Sequence, residues 1–182
     1  MISPSERKQI IEMVRRGVVP AIGCTEPICV ALAVSRAAEA LGTLPAHIEA
    51  RLSANILKNA MGVGIPGTDM VGLPIAIALG AIAGRADYGL EVLRDCTAED
   101  VENGKRYIEE NRIDIALKED APEKLYVDIK CHADNGATAQ VIIAREHTHY
   151  IYIARNGEIL LDAPLASGNH AGEETDTTPT LT

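Results

Sequence analysis

Tryptophan and phenylalanine are missing from this 182-residue chain, and five tyrosines are its only aromatic residues. A core built without large rings must come from Ala, Ile, Leu and Val, whose small side chains let helices pack closely. Apolar mass itself is not short: 47% of the residues are apolar and 24% charged, an ordinary balance for a soluble globular protein. At this length the chain makes one domain or two small ones, and it can bury a substantial core without disulfide staples.

Further absences narrow the function. No uncharged run reaches the ~20 residues that cross a bilayer; the longest, Met70 to Gly84, also contains Pro74 and reads as a buried helix. Residues 1–16 form a charged amphipathic segment with no apolar centre, so no secretory leader is expected and the expected compartment is the cytoplasm. Basic residues number 17 against 26 acidic ones, a net charge of −9, and the one dense basic cluster is Lys8, Arg15 and Arg16. Phosphate neutralisation needs more clustered cations than that, which argues against nucleic acid and for a small-molecule ligand. Cys24, Cys29, Cys96 and Cys131 show no paired zinc spacing, which points to reduced thiols.

Ser3-Pro4-Ser5-Glu6 is a capping box with proline at the first helical position, and Ile10, Ile11 and Val14 follow at helical spacing toward Gly17. Pro27 to Leu41 is apolar on nearly every side and reads as a largely buried helix. Residues 47–57 are ambiguous: His47 to Leu52 alternates like a strand, whereas Ala54 to Ala60 suits a helix. Four glycines and Pro66 between Gly62 and Gly72 predict a loop. Helix resumes over Leu73 to Ala83, and again from Thr97, a cap with Asp100 at the third helical position, to about Asn111.

After Arg112 the apolar period changes from 3.6 to 2. Leu125 to Ala133, Thr138 to Arg145, His149 to Ala154 and Glu158 to Leu161 read as strands, with hairpin turns at Asp134-Asn135-Gly136 and Asn156-Gly157. The expected fold is α+β. A mainly helical part over 1–112 carries the glycine-rich loop, a four-stranded antiparallel meander follows within 113–166, and a disordered or extended tail covers 167–182.

The segment from Gly17 to Pro27 delivers Cys24 to a helix start, where Thr25 can cap and Glu26 and Pro27 occupy the first turn. The positive end of the helix dipole favours a thiolate, the form that binds metal or attacks. The alternative is a small buried hydrophobe. Cys29, five residues on, is turned by about 140° and belongs to the core. Lys58 could anchor a carboxylate or, if desolvated, act as a base; a solvated Lys58-Asn59 pair at a helix end is the other reading. The glycine loop could cradle an anion or simply turn. His147 and His149, two apart in a strand-like segment, share a face, compatible either with a metal or with an idle surface pair. His132 reads as structural.

Gly23-Cys24-Thr25-Glu26-Pro27, read with Lys58-Asn59-Ala60-Met61-Gly62-Val63-Gly64-Ile65-Pro66-Gly67-Thr68, resembles the L-cysteine desulfidase family, relatives of the alpha part of iron–sulfur L-serine dehydratases. The resemblance runs on through Gly80-Ala81-Ile82-Ala83-Gly84 and, more weakly, to His147-Thr148, covering most of residues 8–155. It implies that Cys24 is one ligand of a four-iron four-sulfur cluster with one iron open as a Lewis acid. It also implies β-elimination: a base removes the α-proton, the β-substituent departs, and the aminoacrylate left behind becomes pyruvate and ammonia. With L-cysteine the leaving group is sulfide; L-serine is the second substrate candidate.

By the same match Lys58 is the catalytic candidate, and Thr25, Glu26, Asn59, Gly64, Gly67, Thr68 and His147 are the substrate-binding ones. The family's other cluster cysteines lie in a C-terminal part with no counterpart here, and a cluster needs about four ligands. The chain alone is therefore expected to hold no cluster. It is expected to be the N-terminal portion of a longer enzyme, or half of a two-chain one, with homo-oligomerisation left open. A non-catalytic amino-acid-binding or regulatory module is the alternative, and a scaffold that completes another chain is a third.

Overall fold

The structure, a computed structural model, describes residues 3–17, 21 and 23–165. The tail expected over 167–182 lies outside the described residues. Helix α1 (Pro4–Gly17) opens on the expected capping box: Ser3 Oγ accepts from the Glu6 amide at 3.2 Å, and Glu6 accepts from the Ser3 amide at 2.7 Å. Its apolar side chains Ile10, Ile11, Met13 and Val14 are exposed.

Helix α2 (Thr25–Leu41) ends at Gly42, whose φ of 82° is a left-handed cap that donates to the Ala38 carbonyl. The chain then forms β1 (His47–Leu52) and α3 (Ala54–Ala60), which resolves the ambiguity at 47–57 as a strand followed by a helix. The glycine-rich segment is not all loop: Gly64–Ile65 (β2) and Met70–Val71 (β3) make a small antiparallel hairpin. Helix α4 (Leu73–Ile82), a 3-10 turn (Ala86–Glu91) and α5 (Ala98–Glu109) follow, the last with the Thr97–Asp100 capping box. The remaining strands are β4 (Ile113–Leu117), β5 (Tyr126–His132), β6 (Thr138–Ala144), β7 (Tyr150–Arg155) and β8 (Glu158–Asp162).

The architecture overturns the expectation of a helical part followed by a four-stranded antiparallel meander. The sheet is mixed and has six strands, in the order β4-β1-β5-β6-β7-β8. β1, from within the stretch read as helical, pairs antiparallel with β5, and β4 pairs parallel with β1 from Ile48↔Ile113 to Leu52↔Leu117. A parallel pair needs a long crossover, and the helices between residues 53 and 112 supply it. The alternation of β1 is visible in the sequence but not its partners, and five-residue β4 is too short for its own alternation to stand out beside helical stretches.

One face of the sheet carries Ile48, Leu52, Val127, Ile129, Val141 and Ile143, all fully buried, and α2 packs on it. Helix α4 packs on α2 in turn and against α5, so α2 is apolar all round because it lies between a sheet and a helix. The approach is close. A Cβ on Gly80 of α4 would lie 2.6 Å from the Ala31 carbonyl oxygen of α2. The opposite sheet face is polar toward β1 and β4, where Arg51 meets Asp114 at 2.7 Å and His132 lies 3.6 Å from Glu49, and apolar toward β7, where Tyr126, Ala144 and Ile151 make a second small cluster.

Candidate functional site

Cys24, in extended conformation with φ −70° and ψ 136°, is itself the residue that precedes the first turn of α2. Thr25 begins the helix and does not cap it; its hydroxyl donates instead to Glu26 Oε2 at 3.3 Å. The same carboxylate oxygen accepts the Cys24 thiol at 3.1 Å, and Glu26 Oε1 lies 3.8 Å from His147 Nε2. Glu26 therefore stands between a thiol and an imidazole that are 123 residues apart in the chain.

This carboxylate reverses the expected chemistry of the thiol. Backbone amides at the helix start do favour the thiolate, but the Glu26 hydrogen bond outweighs them and holds the Cys24 thiol above its ordinary range. Glu26, stabilised as an anion chiefly by accepting that S–H, is held below the usual carboxylate range. Cys24 is exposed. Its neighbours make it a protonated thiol that must give up its proton before it binds a metal.

The glycine segment meets this point through Gly23. Its φ is +89°, and a Cβ there would lie 3.0 Å from Pro66 Cδ and Cγ, so only glycine lets the strap before Cys24 rest on the hairpin. Within the hairpin Thr68 is buried, its hydroxyl donating to the Ile65 carbonyl at 2.7 Å and accepting from the Met70 amide at 3.0 Å. That hydroxyl closes the turn. Gly64 and Gly67 have open space where a side chain would stand.

His147 and His149 do not share a strand face, because residues 145–149 form the turn between β6 and β7. His147 faces Glu26, whereas His149 Nδ1 lies 3.0 Å from the Ala144 carbonyl. Lys58 and Asn59 are exposed on α3, and Asn59 bonds to Asn55 at 3.3 Å. Lys58 lines an open groove of about 780 Å³ between α3 and residues 117–124. The groove joins the His147 turn through Glu123, which pairs with Arg145 at 2.8 Å. Ser53 and Lys124, groove residues that sequence reasoning passed over, carry no local pattern that marks them.

The other thiols differ from Cys24. Burial pushes Cys96 up to about 11 and Cys131 up to about 12, and it raises Cys29 further still. Among the described residues no three His, Cys, Asp or Glu side chains are grouped to hold a metal ion. Cys24 is the one exposed thiol among the described residues, which do not by themselves make up the ligand set of a four-iron four-sulfur cluster. Among the described residues no helix is long and apolar enough to cross a membrane.

The chain is similar to UPF0597 proteins. The one from Bacteroides thetaiotaomicron is 63% identical over 158 residues, 87% of this chain and 37% of that protein. UPF0597 protein BF3560 of Bacteroides fragilis is 58% identical over 174 residues, covering 96% of this chain and 40% of its own length. A more distant one, from Aeromonas hydrophila, is 39% identical over 172 residues. The chain thus spans about 40% of the length of the curated relatives it matches. No family model and no solved structure matches it.

Proposed function

We propose that this chain is the N-terminal portion of an iron–sulfur lyase that carries out β-elimination on a small L-amino acid, L-cysteine first and L-serine second. The observation that supports this reading is convergence. The stretch around Cys24, the glycine hairpin and the His147 turn are far apart in sequence, yet Gly23 rests on Pro66 and Glu26 reaches His147. Chance core packing gives no reason for an exposed thiol, a carboxylate and an imidazole to meet there.

In this reading Cys24 supplies one cluster ligand, and the full-length protein supplies the others. Glu26 takes the hydrogen bond of the thiol and orients it, with His147 behind the carboxylate. Lys58 is exposed, which suits an ammonium group that anchors the substrate carboxylate rather than a buried neutral base.

The test uses the full-length protein purified without oxygen. Sulfide and pyruvate are expected from L-cysteine, with iron and acid-labile sulfide bound to the protein. Cys24→Ala is expected to remove most of that iron, and Lys58→Ala to reduce turnover while the iron stays. Iron content unchanged in Cys24→Ala would remove Cys24 from the ligand set, and absence of turnover on either amino acid would overturn the lyase reading.

A further inference from the structure

The groove between α3 and residues 117–124 is held rigid at its floor. Ser53, 3% exposed, donates its hydroxyl to the Lys124 carbonyl at 2.7 Å and accepts from the Tyr126 amide at 3.2 Å. The Lys118 amide donates to the Leu52 carbonyl at 2.8 Å, so the other end of the 117–124 segment is pinned to the same strand end. Bonds of this kind hold in place the backbone of the strand end and of the 117–124 segment that carries the wall side chains.

The charges on those walls do not cancel. Glu123 is taken by Arg145 at 2.8 Å, and Lys118 by Asp120 at 3.4 Å. That leaves Lys58 on the α3 wall and Lys124 on the facing segment, both exposed and without an ion-pair partner among the described residues, against Glu119 alone. On a chain of net charge −9 this is a local excess of positive charge with one carboxylate in it. Leu117, Ala121 and Pro122 add an apolar side.

We propose that this groove binds the zwitterion of a small α-amino acid, with its carboxylate between Lys58 and Lys124 and its ammonium group at Glu119. The inference rests on the amino-acid reading given above for Lys58 and adds the two residues that complete the pocket. Two cations and one anion match two carboxylate oxygens and one ammonium group. A simple anion would gain nothing from Glu119, and a simple amine would be repelled by the lysines.

The experiment is an amide-shift NMR titration of the 182-residue chain with L-alanine, which has no β-leaving group, and with propionate, which lacks the ammonium group. L-alanine is expected to move the amides of Asn55, Lys58 and residues 117–124. Lys58→Gln and Lys124→Gln are each expected to weaken both probes about threefold, the size of one exposed charge pair. Glu119→Gln is expected to weaken L-alanine about threefold while tightening propionate. No groove shifts at tens of millimolar L-alanine, or a Glu119→Gln effect of the same sign on both probes, would overturn the proposal. Because the titration needs no cluster and no turnover, groove binding beside an inactive full-length protein defeats only the lyase reading. Turnover beside an empty groove defeats only this one.

Discussion

Cys24 and Cys29 are five residues apart on one helix start, yet the first is exposed and hydrogen-bonded to a carboxylate while the second is fully buried. At mildly alkaline pH iodoacetamide is therefore expected to modify Cys24 first and Cys96 slowly. Cys29 and Cys131 should react only after denaturation, as peptide mass spectrometry would read. Modification of Cys29 at the Cys24 rate would contradict the core described above. Asp128 offers a second residue-scale case. Burial beside β6 raises its carboxyl, even though Gln140 donates to it at 2.8 Å. A carboxyl raised in the folded state binds its proton more tightly there than in the unfolded chain. Its contribution to stability is thus greatest at acid pH and declines as pH rises through that range. Asp128→Asn, which keeps an acceptor for Gln140, is expected to unfold at a higher temperature than the parent near neutral pH, with the difference vanishing near pH 3. A lower melting temperature at neutral pH would reverse the sign argued here.

At the scale of elements, glycine decides two contacts. Gly80→Ala would drive a Cβ to 2.6 Å from the Ala31 carbonyl and force α4 off α2, an overpacking expected to cost about 1–3 kcal/mol in chemical denaturation. An unchanged midpoint would show that the helices can part freely. Gly23 acts on the site rather than the core, since its contact with Pro66 fixes where the chain enters α2. Much of this scale was legible. The capping boxes at Ser3 and Thr97 and the Asn156-Gly157 turn, whose φ values are 50° and 82°, follow from local side-chain chemistry that needs no tertiary partner. Other elements were not legible. β4 has only five residues, and the segment from His147 to His149 read as strand-like is a turn, because alternation over three or four residues does not separate a strand from a bend.

For the whole molecule, the consequence of β1 pairing with β5 is that the helical stretch and the strands share one core. Residues 1–112 expressed alone would leave β1 without either neighbour and α2 without the sheet. That piece is expected to show no cooperative thermal transition by circular dichroism, whereas the 182-residue chain does. A sharp transition in the shorter piece would mean that the helices close a core of their own. What the sequence determined by itself was a ring-poor aliphatic core, the capped helices, the tight turn at Asn156-Gly157 and the cysteine at a helix start. Each of these depends on residues within a turn or two of one another. The tertiary structure alone decided that β1 and β4 join the sheet and that Glu26 meets His147. It also decided that Lys58 and Lys124 line one groove. Those outcomes depend on pairs 63 to 121 residues apart, from Arg51–Asp114 to Glu26–His147, and no local pattern encodes which distant surface a side chain will face.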